Sequence, residues 1–198
     1  MARLQLNKSS LARERGQLRS YERFLPSLDL KRQQLMGERA KAEAHIAALE
    51  AQLEVLAKQV GDDLPMMANE DIDLDGLVRL KDYTLGEENV VGTRLPVLEG
   101  IVVEVAPYSA MAKPHWVDDV ARFLRDMLEV RVRVEVAKAR VALLDAAVTT
   151  ITQRVNLFDK VLIPTARANI KRIAIYLSDE ELAGVVRSKI SKRKRAVG

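Results

Sequence analysis

The sequence contains no cysteine and few aromatic residues. Among its 198 residues, Phe, Trp and Tyr together make up only 4%. The lack of cysteine excludes disulfide bonds and thiolate metal sites, and it suits a reducing compartment. So few aromatic residues cannot fill a large globular core, although apolar residues form 48% of the chain. This composition favours extended helical packing through Leu, Val, Ile and Ala.

Other signals are missing as well. We find no signal peptide pattern and no apolar run near the ~18 residues that a membrane helix needs. The chain has no phosphate-binding glycine loop, no zinc-ligand cluster and no nucleophile elbow. His45 and His115 lie far apart in sequence, and we interpret both as surface or packing residues. We therefore expect a soluble, intracellular protein that is not an enzyme and that uses no metal or cofactor.

The longest regular pattern runs from Trp116 to Ala183, a stretch with no glycine and a single proline, Pro164. Apolar residues recur there in two series with a spacing of seven, which is typical of the a and d positions of a coiled coil. The a series is Val120, Met127, Val134, Val141, Val148, Val155 and Leu162, and the d series is Phe123, Val130, Ala137, Leu144, Ile151 and Phe158. Beyond Leu162 the pattern continues at Ala166, Ile170, Ile173 and Leu177. The spacing between successive seam residues thus changes once from three to four. This change should relax the left-handed supercoil near Pro164.

A second heptad pattern runs from Leu4 to Val60 and supplies the partner helix. Its a positions are Leu4, Leu11, Leu18, Leu25, Arg32, Arg39, Ile46, Leu53 and Val60, and its d positions include Tyr21, Leu28, Leu35, Ala42, Leu49 and Leu56. Gly16, Gly37 and Pro26 interrupt the pattern but fall on its outer side. We expect Gly61 to end this helix.

The middle of the chain differs in composition and charge. Five of the nine glycines and four of the six prolines lie between Gly61 and Pro114. Between Gly61 and Asp119 there are 4 Lys/Arg against 13 Asp/Glu, a net charge of −9, so the flanking regions must carry +13 to give the chain its +4. β-Branched residues and turn signals between Val78 and Val105 predict a two-stranded β-hairpin. The acidic middle and the basic flanks should have different partners.

These patterns predict a mainly α fold, a long antiparallel two-helix coiled coil capped at one end by the middle segment. Residues 1–60 form the N-terminal helix, 61–115 the middle segment with its hairpin, 116–188 the C-terminal helix and 189–198 a basic tail. If Val60 lies opposite about Asp118, position i of the first helix faces roughly position 178 − i of the second, give or take a heptad. Arg32 and Arg39 then face an alanine-rich stretch, beside which long side chains can reach water.

Two local motifs have a functional and a structural interpretation. A calcium-loop pattern has five of its positions filled by Asp71, Asp73, Asp75, Gly76 and Asp82. Asp replaces the bidentate Glu at the last position and no amphipathic helix follows, so we favour a solvated acidic loop. The basic run SKRKR near the C-terminus could neutralise nucleic-acid phosphates. No aromatic residue is interleaved in it, and we favour a solvated end.

Three stretches carry a resemblance to a known family. They are LDLKRQQLM at 28–36, NVVGTRLP at 89–96 and RVNLFDKVLIP at 154–164. In their order and spacing they resemble the D-type central-stalk family of the V-type rotary ATPases, including the archaeal and bacterial V/A-type enzymes. The resemblance covers both helical stretches and the middle segment.

The resemblance implies a central rotor shaft that couples ATP hydrolysis or synthesis in a head to ion translocation in a membrane ring. Its implied partners are the catalytic and non-catalytic head subunits, a small central-stalk subunit and a membrane-ring adaptor, with no nucleic acid. The shaft would be cytoplasmic and peripheral to the membrane. Head contacts would involve Arg154, Asn156, Pro164, Arg187 and Lys189, and stalk-end contacts Val91, Arg94, Leu95 and Pro96. The alternatives are a nucleic-acid-binding coiled-coil arm and a self-associating scaffold.

Overall fold

The computed structural model describes residues 4–65, 74–108 and 114–197. Long helices flank a two-stranded antiparallel hairpin, and helix accounts for 77% of the structure. The predicted fold class is therefore confirmed. The chain divides into two compact units, one formed by Met1–Arg32 with Thr150–Gly198 and the other by Gln33–Thr149.

The first helix, α1, spans Lys8–Asp63. Asn7 caps its start, because the Asn7 Oδ1 atom accepts a hydrogen bond of 2.7 Å from the backbone N–H of Ser10. A Cβ atom added at Gly16 or Gly37 would meet nothing within 4 Å, which places both glycines on the outer side as predicted. The expectation that Gly61 ends α1 is wrong by two residues. A glycine with open space around it weakens a helical turn without breaking its hydrogen bonds.

The second helix, α2, spans Trp116–Leu157, and its heptad positions pack against those of α1. In the second unit Leu49 forms a buried cluster with Val130, Val134 and Ala137. The predicted register gives residue 129 as the position opposite Leu49, so these contacts lie one to eight residues further along α2, a shift of up to about one heptad. Every predicted a and d position of α1 and α2 is buried or half-buried, so the heptad pattern identified the packed seam.

The predicted break in the heptad pattern coincides with a π-helix at Phe158–Leu162. The N–H of Ile163 donates to the carbonyl of Phe158, five residues back. Pro164 follows directly, and a proline ring clashes with the carbonyl four residues earlier in a regular α-helix. A wider turn relieves that clash and inserts the extra residue that re-phases the seam. The third helix, α3, then spans Ile163–Val197, with Ile163, Ala166 and Ile173 buried.

Helical structure thus continues into the segment that we expected to be a tail. Residues 189–197 belong to α3 rather than to an irregular end. Within the first unit, the ring of Phe158 meets that of Tyr21 edge-on, with ring centroids 5.5 Å apart and an interplanar angle of 83°. Such a pair adds about 0.5–1.5 kcal/mol beyond its buried area.

The hairpin consists of β1, Val78–Val90, and β2, Thr93–Val105. Together they occupy the range predicted from the sequence. The register runs from Val78 opposite Val105 to Val90 opposite Thr93, with irregularities near Leu80 and Thr84. Val91 and Gly92 form a two-residue loop in which both φ angles are positive, +52° and +81°. Positive φ at both loop positions is the signature of a type I′ turn, which matches the twist of the strands.

The hairpin folds back along the helices of the second unit, so the expectation that the middle segment only caps one end is wrong. At the hairpin base, Leu77 joins Leu64 and Trp116 in a buried cluster with Val117 and Val120. Near the hairpin tip, the Arg140 Nη2 atom of α2 lies 2.6 Å from the Glu88 Oε2 atom of β1. These contacts fix both ends of the hairpin to the helices, and no local sequence pattern encodes them.

Candidate functional site

The part of the chain that the structure describes contains no group of three or more His, Cys, Asp or Glu side chains that could hold a metal ion. Two of the aspartates in the calcium-loop pattern, Asp71 and Asp73, lie outside the described residues. Gly76 adopts a φ of +72° in a turn, and Asp82 lies on β1 opposite Val102. The candidate sites that remain are surfaces.

The first candidate surface, which we name the α3 end, comprises residues 182–195. All of these residues except Gly184 are exposed. Leu182, Val185, Val186 and Ile190 are large apolar residues with exposures of 50–62%. Basic residues lie among them, namely Arg187, Lys189, Lys192, Arg193, Lys194 and Arg195. Exposed apolar side chains within a basic segment are suited to bind an apolar partner surface with an acidic rim.

The α3 end begins where contact with α1 stops. Lys8, the first residue of α1, forms an ion pair of 3.5 Å with Glu181. Further along the same unit, Arg167 pairs with Glu22 at 2.7 Å. The helix thus leaves its partner at about Glu181, and the exposed apolar residues follow.

The residues that the resemblance assigns to the head fall into two groups within the first unit. Arg154 and Pro164 are exposed near the π-helix, and Asn156 is half-buried between them. Arg187 and Lys189 are exposed on the α3 end. At 1.5 Å per residue, Pro164 and Arg187 lie roughly 34 Å apart along the helix. The structure therefore does not bring these five residues together into one site.

The second candidate surface, which we name the hairpin surface, comprises the exposed large apolar residues of β1 and β2. They are Leu80, Tyr83, Leu85, Val102 and Val105, with exposures of 37–52%. A two-stranded hairpin has two unpaired edges that remain open to another chain. The hairpin surface therefore offers apolar side chains to a partner.

The residues predicted for the stalk end lie in different environments on the hairpin. Arg94 is exposed, 3.7 Å from Glu87 across the turn, and Val91 and Pro96 are half-buried. Leu95 is only 1% exposed and is among the most deeply buried side chains of the described chain. Leu95 thus packs inside the chain, and its expected contact with a partner stays a prediction.

Some ion pairs in the second unit bridge elements. Arg39 lies 2.9 Å from both Glu43 and Asp145, so it reaches across to α2 as well as along α1. The hydrogen bond to Glu43, aided by attraction to Asp145 and Glu43, raises the pKa of Arg39 above its ordinary value. Near the hairpin base, the Tyr108 hydroxyl donates to Asp118, and this bond is the main cause of a raised pKa for Tyr108.

One buried polar contact was not predicted from the sequence. Glu14 is 8% exposed, and its Oε2 atom accepts a hydrogen bond of 3.2 Å from the Asn169 side chain of α3. The available signal was its position, because Glu14 occupies a d position one heptad before Tyr21. A polar residue at such a position fixes the pairing of two helices at some loss of stability.

No helix in the described ranges 4–65, 74–108 and 114–197 is long and apolar enough to cross a membrane. The described fold is that of an antiparallel coiled-coil protein with an inserted hairpin and exposed apolar surfaces.

Comparison with known proteins identifies the family. The family model for the ATP synthase D subunit matches residues 10–193. The V-type ATP synthase D subunit of Borreliella burgdorferi is 32% identical over 192 residues, which cover 97% of this chain and 95% of that protein. The protein of the same name from Chlamydia abortus is 32% identical over 199 residues, which cover 98% and 94% respectively. The chain therefore belongs to the ATP synthase D-subunit family, and it is a subunit of a V-type rotary ATPase.

Proposed function

We propose that the chain is the central rotor shaft of the V-type ATPase and has no catalytic role of its own. One observation carries the proposal. The chain pairs its two long apolar seams with each other and still leaves two chemically different surfaces exposed, the basic α3 end and the hairpin surface. A subunit that transmits rotation needs a packed body and separate contacts for the parts that it couples.

The pairing of two unlike helices suits a rotor in a head with repeated catalytic sites. α1 carries Arg39 and Glu14 on its seam, whereas the facing seams of α2 and α3 are rich in Val, Ile and Ala. Such a pair presents a different side to each of several equivalent head subunits. Continuous packing also resists twisting better than a single helix does, because rotation of one helix against the other must break apolar contacts.

We assign the α3 end to the head formed by catalytic and non-catalytic subunits. Its apolar and basic residues would occupy an apolar bore with acidic groups. We assign the hairpin surface, with Arg94 and the acidic middle segment, to the small stalk subunit and the membrane-ring adaptor. The shaft would then lie on the cytoplasmic side, peripheral to the membrane, and nucleotide chemistry would belong to the head.

Two altered chains test this assignment by pull-down of both sets of partners. Removal of residues 178–198 should weaken binding to the head and leave the small stalk subunit bound. Replacement of residues 78–105 by a short flexible turn should weaken binding to the small stalk subunit. The head should stay bound, because the helical seams are untouched. The assignment would be contradicted if the hairpin variant, and not the truncated chain, lost the head, while the truncated chain, and not the hairpin variant, lost the stalk subunit.

Point substitutions refine the test. Leu182→Ser combined with Val186→Ser and Ile190→Ser should reduce head binding almost as much as the truncation does. Val55→Ser is a matched control, since Val55 is 56% exposed on α1 and belongs to neither surface. Equal effects of the control and the triple variant would remove the α3 end from the proposed contact.

A further inference from the structure

A cavity of about 400 Å³ lies in the second unit between β2 and the helices along which the hairpin folds. Ala42, Val136 and Ala137 line it from the helices, and Leu98 lines it from β2. Cavities of roughly 300–1,000 Å³ with apolar walls and a few converging polar groups are the usual sites for small molecules. Of the residues assigned to partners above, Pro96 alone lines this cavity.

The charged lining of the cavity is predominantly cationic. Lys41, Arg133 and Arg140 line it together with His45, whereas Glu38 is the one carboxylate in the lining that the structure describes. Guanidinium groups present several N–H donors in a planar fork that matches phosphate oxygens, and an imidazole can donate a further hydrogen bond. This combination favours an anion with several acceptor oxygens.

The present partners of two of these cations hold them only weakly. The Lys41 Nζ atom lies 2.7 Å from Glu38, and an Arg133 Nη2 atom lies 3.2 Å from Glu129. Each partner is within one turn of the same helix, and solvent-exposed pairs of this kind contribute only about 0.3–0.5 kcal/mol. An anion in the cavity can therefore recruit Lys41 and Arg133 at little loss of existing stability.

Arg140 is the most firmly held cation of the set. Its side chain is 26% exposed, and it reaches Glu88 on β1 at 2.6 Å. This pair holds one side of the cavity at a fixed position, because it joins α2 to the hairpin. A guanidinium that already lies against one oxyanion still has N–H groups for a second.

We propose that this cavity binds a small organic phosphate, with its phosphate between Arg133, Arg140 and Lys41 and its apolar or aromatic body against Ala42, Val136 and Ala137. The three cations and the imidazole account for the phosphate. The apolar walls account for an organic body, which free phosphate does not have. The cavity volume suffices for a molecule up to about the size of a nucleotide.

The test is calorimetric titration of the full chain with three probes at moderate ionic strength. ADP supplies both phosphate and an aromatic body, inorganic phosphate supplies the anion alone, and adenosine supplies the body alone. ADP should bind saturably and more tightly than inorganic phosphate, and adenosine should bind at least about tenfold more weakly than ADP. The proposal is overturned if none of the probes binds saturably at millimolar concentration, or if adenosine and ADP bind equally.

Substitutions locate the binding. Arg133→Gln and Arg140→Gln should each weaken ADP binding at least about tenfold, the effect of losing one charge-assisted contact. Arg122→Gln is the matched control, because Arg122 also lies on α2 and pairs with a carboxylate, Asp119 at 2.8 Å, yet does not line the cavity. If Arg140→Gln unfolds the hairpin, Arg133→Gln decides the question. ADP binding that survives Arg133→Gln, or falls equally in Arg122→Gln, refutes the site.

Discussion

At the residue scale, Val91 is the clearest departure from local preference. Its φ of +52° lies in the left-handed region, where a β-branched side chain is strained. The neighbouring positions fit the turn well, since Gly92 tolerates its φ of +81° and its N–H donates to the Asn89 side chain at 2.9 Å. The sequence NVVG thus gives a type I′ loop its favoured glycine and an unfavoured valine. Strain that a sequence retains is a reason to expect a function.

Replacement of Val91 by Asn should stabilise the isolated chain. Asn tolerates positive φ and Asn-Gly is the preferred pair for this turn, so we expect a gain of about 1 kcal/mol in the free energy of unfolding. Urea denaturation followed by circular dichroism measures it. If Val91 also contacts the stalk partner, Val91→Asn should weaken that binding while stability rises. A variant that is less stable than the parent chain would show that packing of Val91 outweighs its strain.

Residue-level contacts divide into those that the sequence could predict and those that it could not. Burial along the seams followed from the heptad spacing, whereas the α2 partner of Arg39, Asp145, was not predicted. The ion pair between Arg140 and Glu88 has no such signal, because its residues are 52 positions apart and meet only when the hairpin folds back. The wall of the proposed phosphate site that β2 supplies, Pro96–Leu98, depends on that placement.

At the scale of elements, the sequence predicted which helices and strands form better than it predicted their local geometry and packing. The hairpin range 78–105 was predicted, since β-branched residues and turn signals both mark it. The change of seam spacing near Pro164 was predicted, but the π-helix that produces it was not, because spacing does not reveal how a backbone absorbs one residue. The fold-back of the hairpin was missed, since only long-range contacts determine it.

The α3 end has an energetic consequence as an element. It extends beyond Glu181, the partner of the first residue of α1, and so its exposed residues have little tertiary contact. A helical segment of fewer than ~12–15 residues is marginal in water without such contact. In the isolated chain this segment should open readily while the paired seams stay closed.

Amide hydrogen exchange measures this difference. Residues 183–197 should exchange rapidly in the isolated chain and become protected when the head subunits are bound. The amides around Leu49 and Val130 serve as an internal control, because their buried cluster should keep them protected in both states. Strong protection of residues 183–197 in the isolated chain would mean that the segment is stabilised within the chain itself, and the head would not be needed to order it.

At the scale of the whole molecule, the distribution of apolar surface distinguishes a monomeric shaft from a self-associating scaffold. The a and d positions of α1 pair with those of α2 in the same chain, so among the residues that the structure describes no long seam remains for a second copy. The net charge of +4 and the pI of about 9.4 add mutual repulsion between copies at neutral pH. The four exposed large apolar residues of the α3 end form one local group among basic side chains.

We therefore expect the isolated chain to sediment as a monomer, with a melting temperature that does not depend on protein concentration, because dimerisation coupled to folding would raise that temperature by mass action. Sedimentation velocity over an approximately hundredfold range of concentration provides the measurement. Weak association at the highest concentrations should disappear in the Leu182→Ser, Val186→Ser, Ile190→Ser variant, since the α3 end is then no longer apolar, and should persist in Val55→Ser. A stable dimer that survives the triple substitution would place self-association in the coiled coil and would favour the scaffold over the shaft.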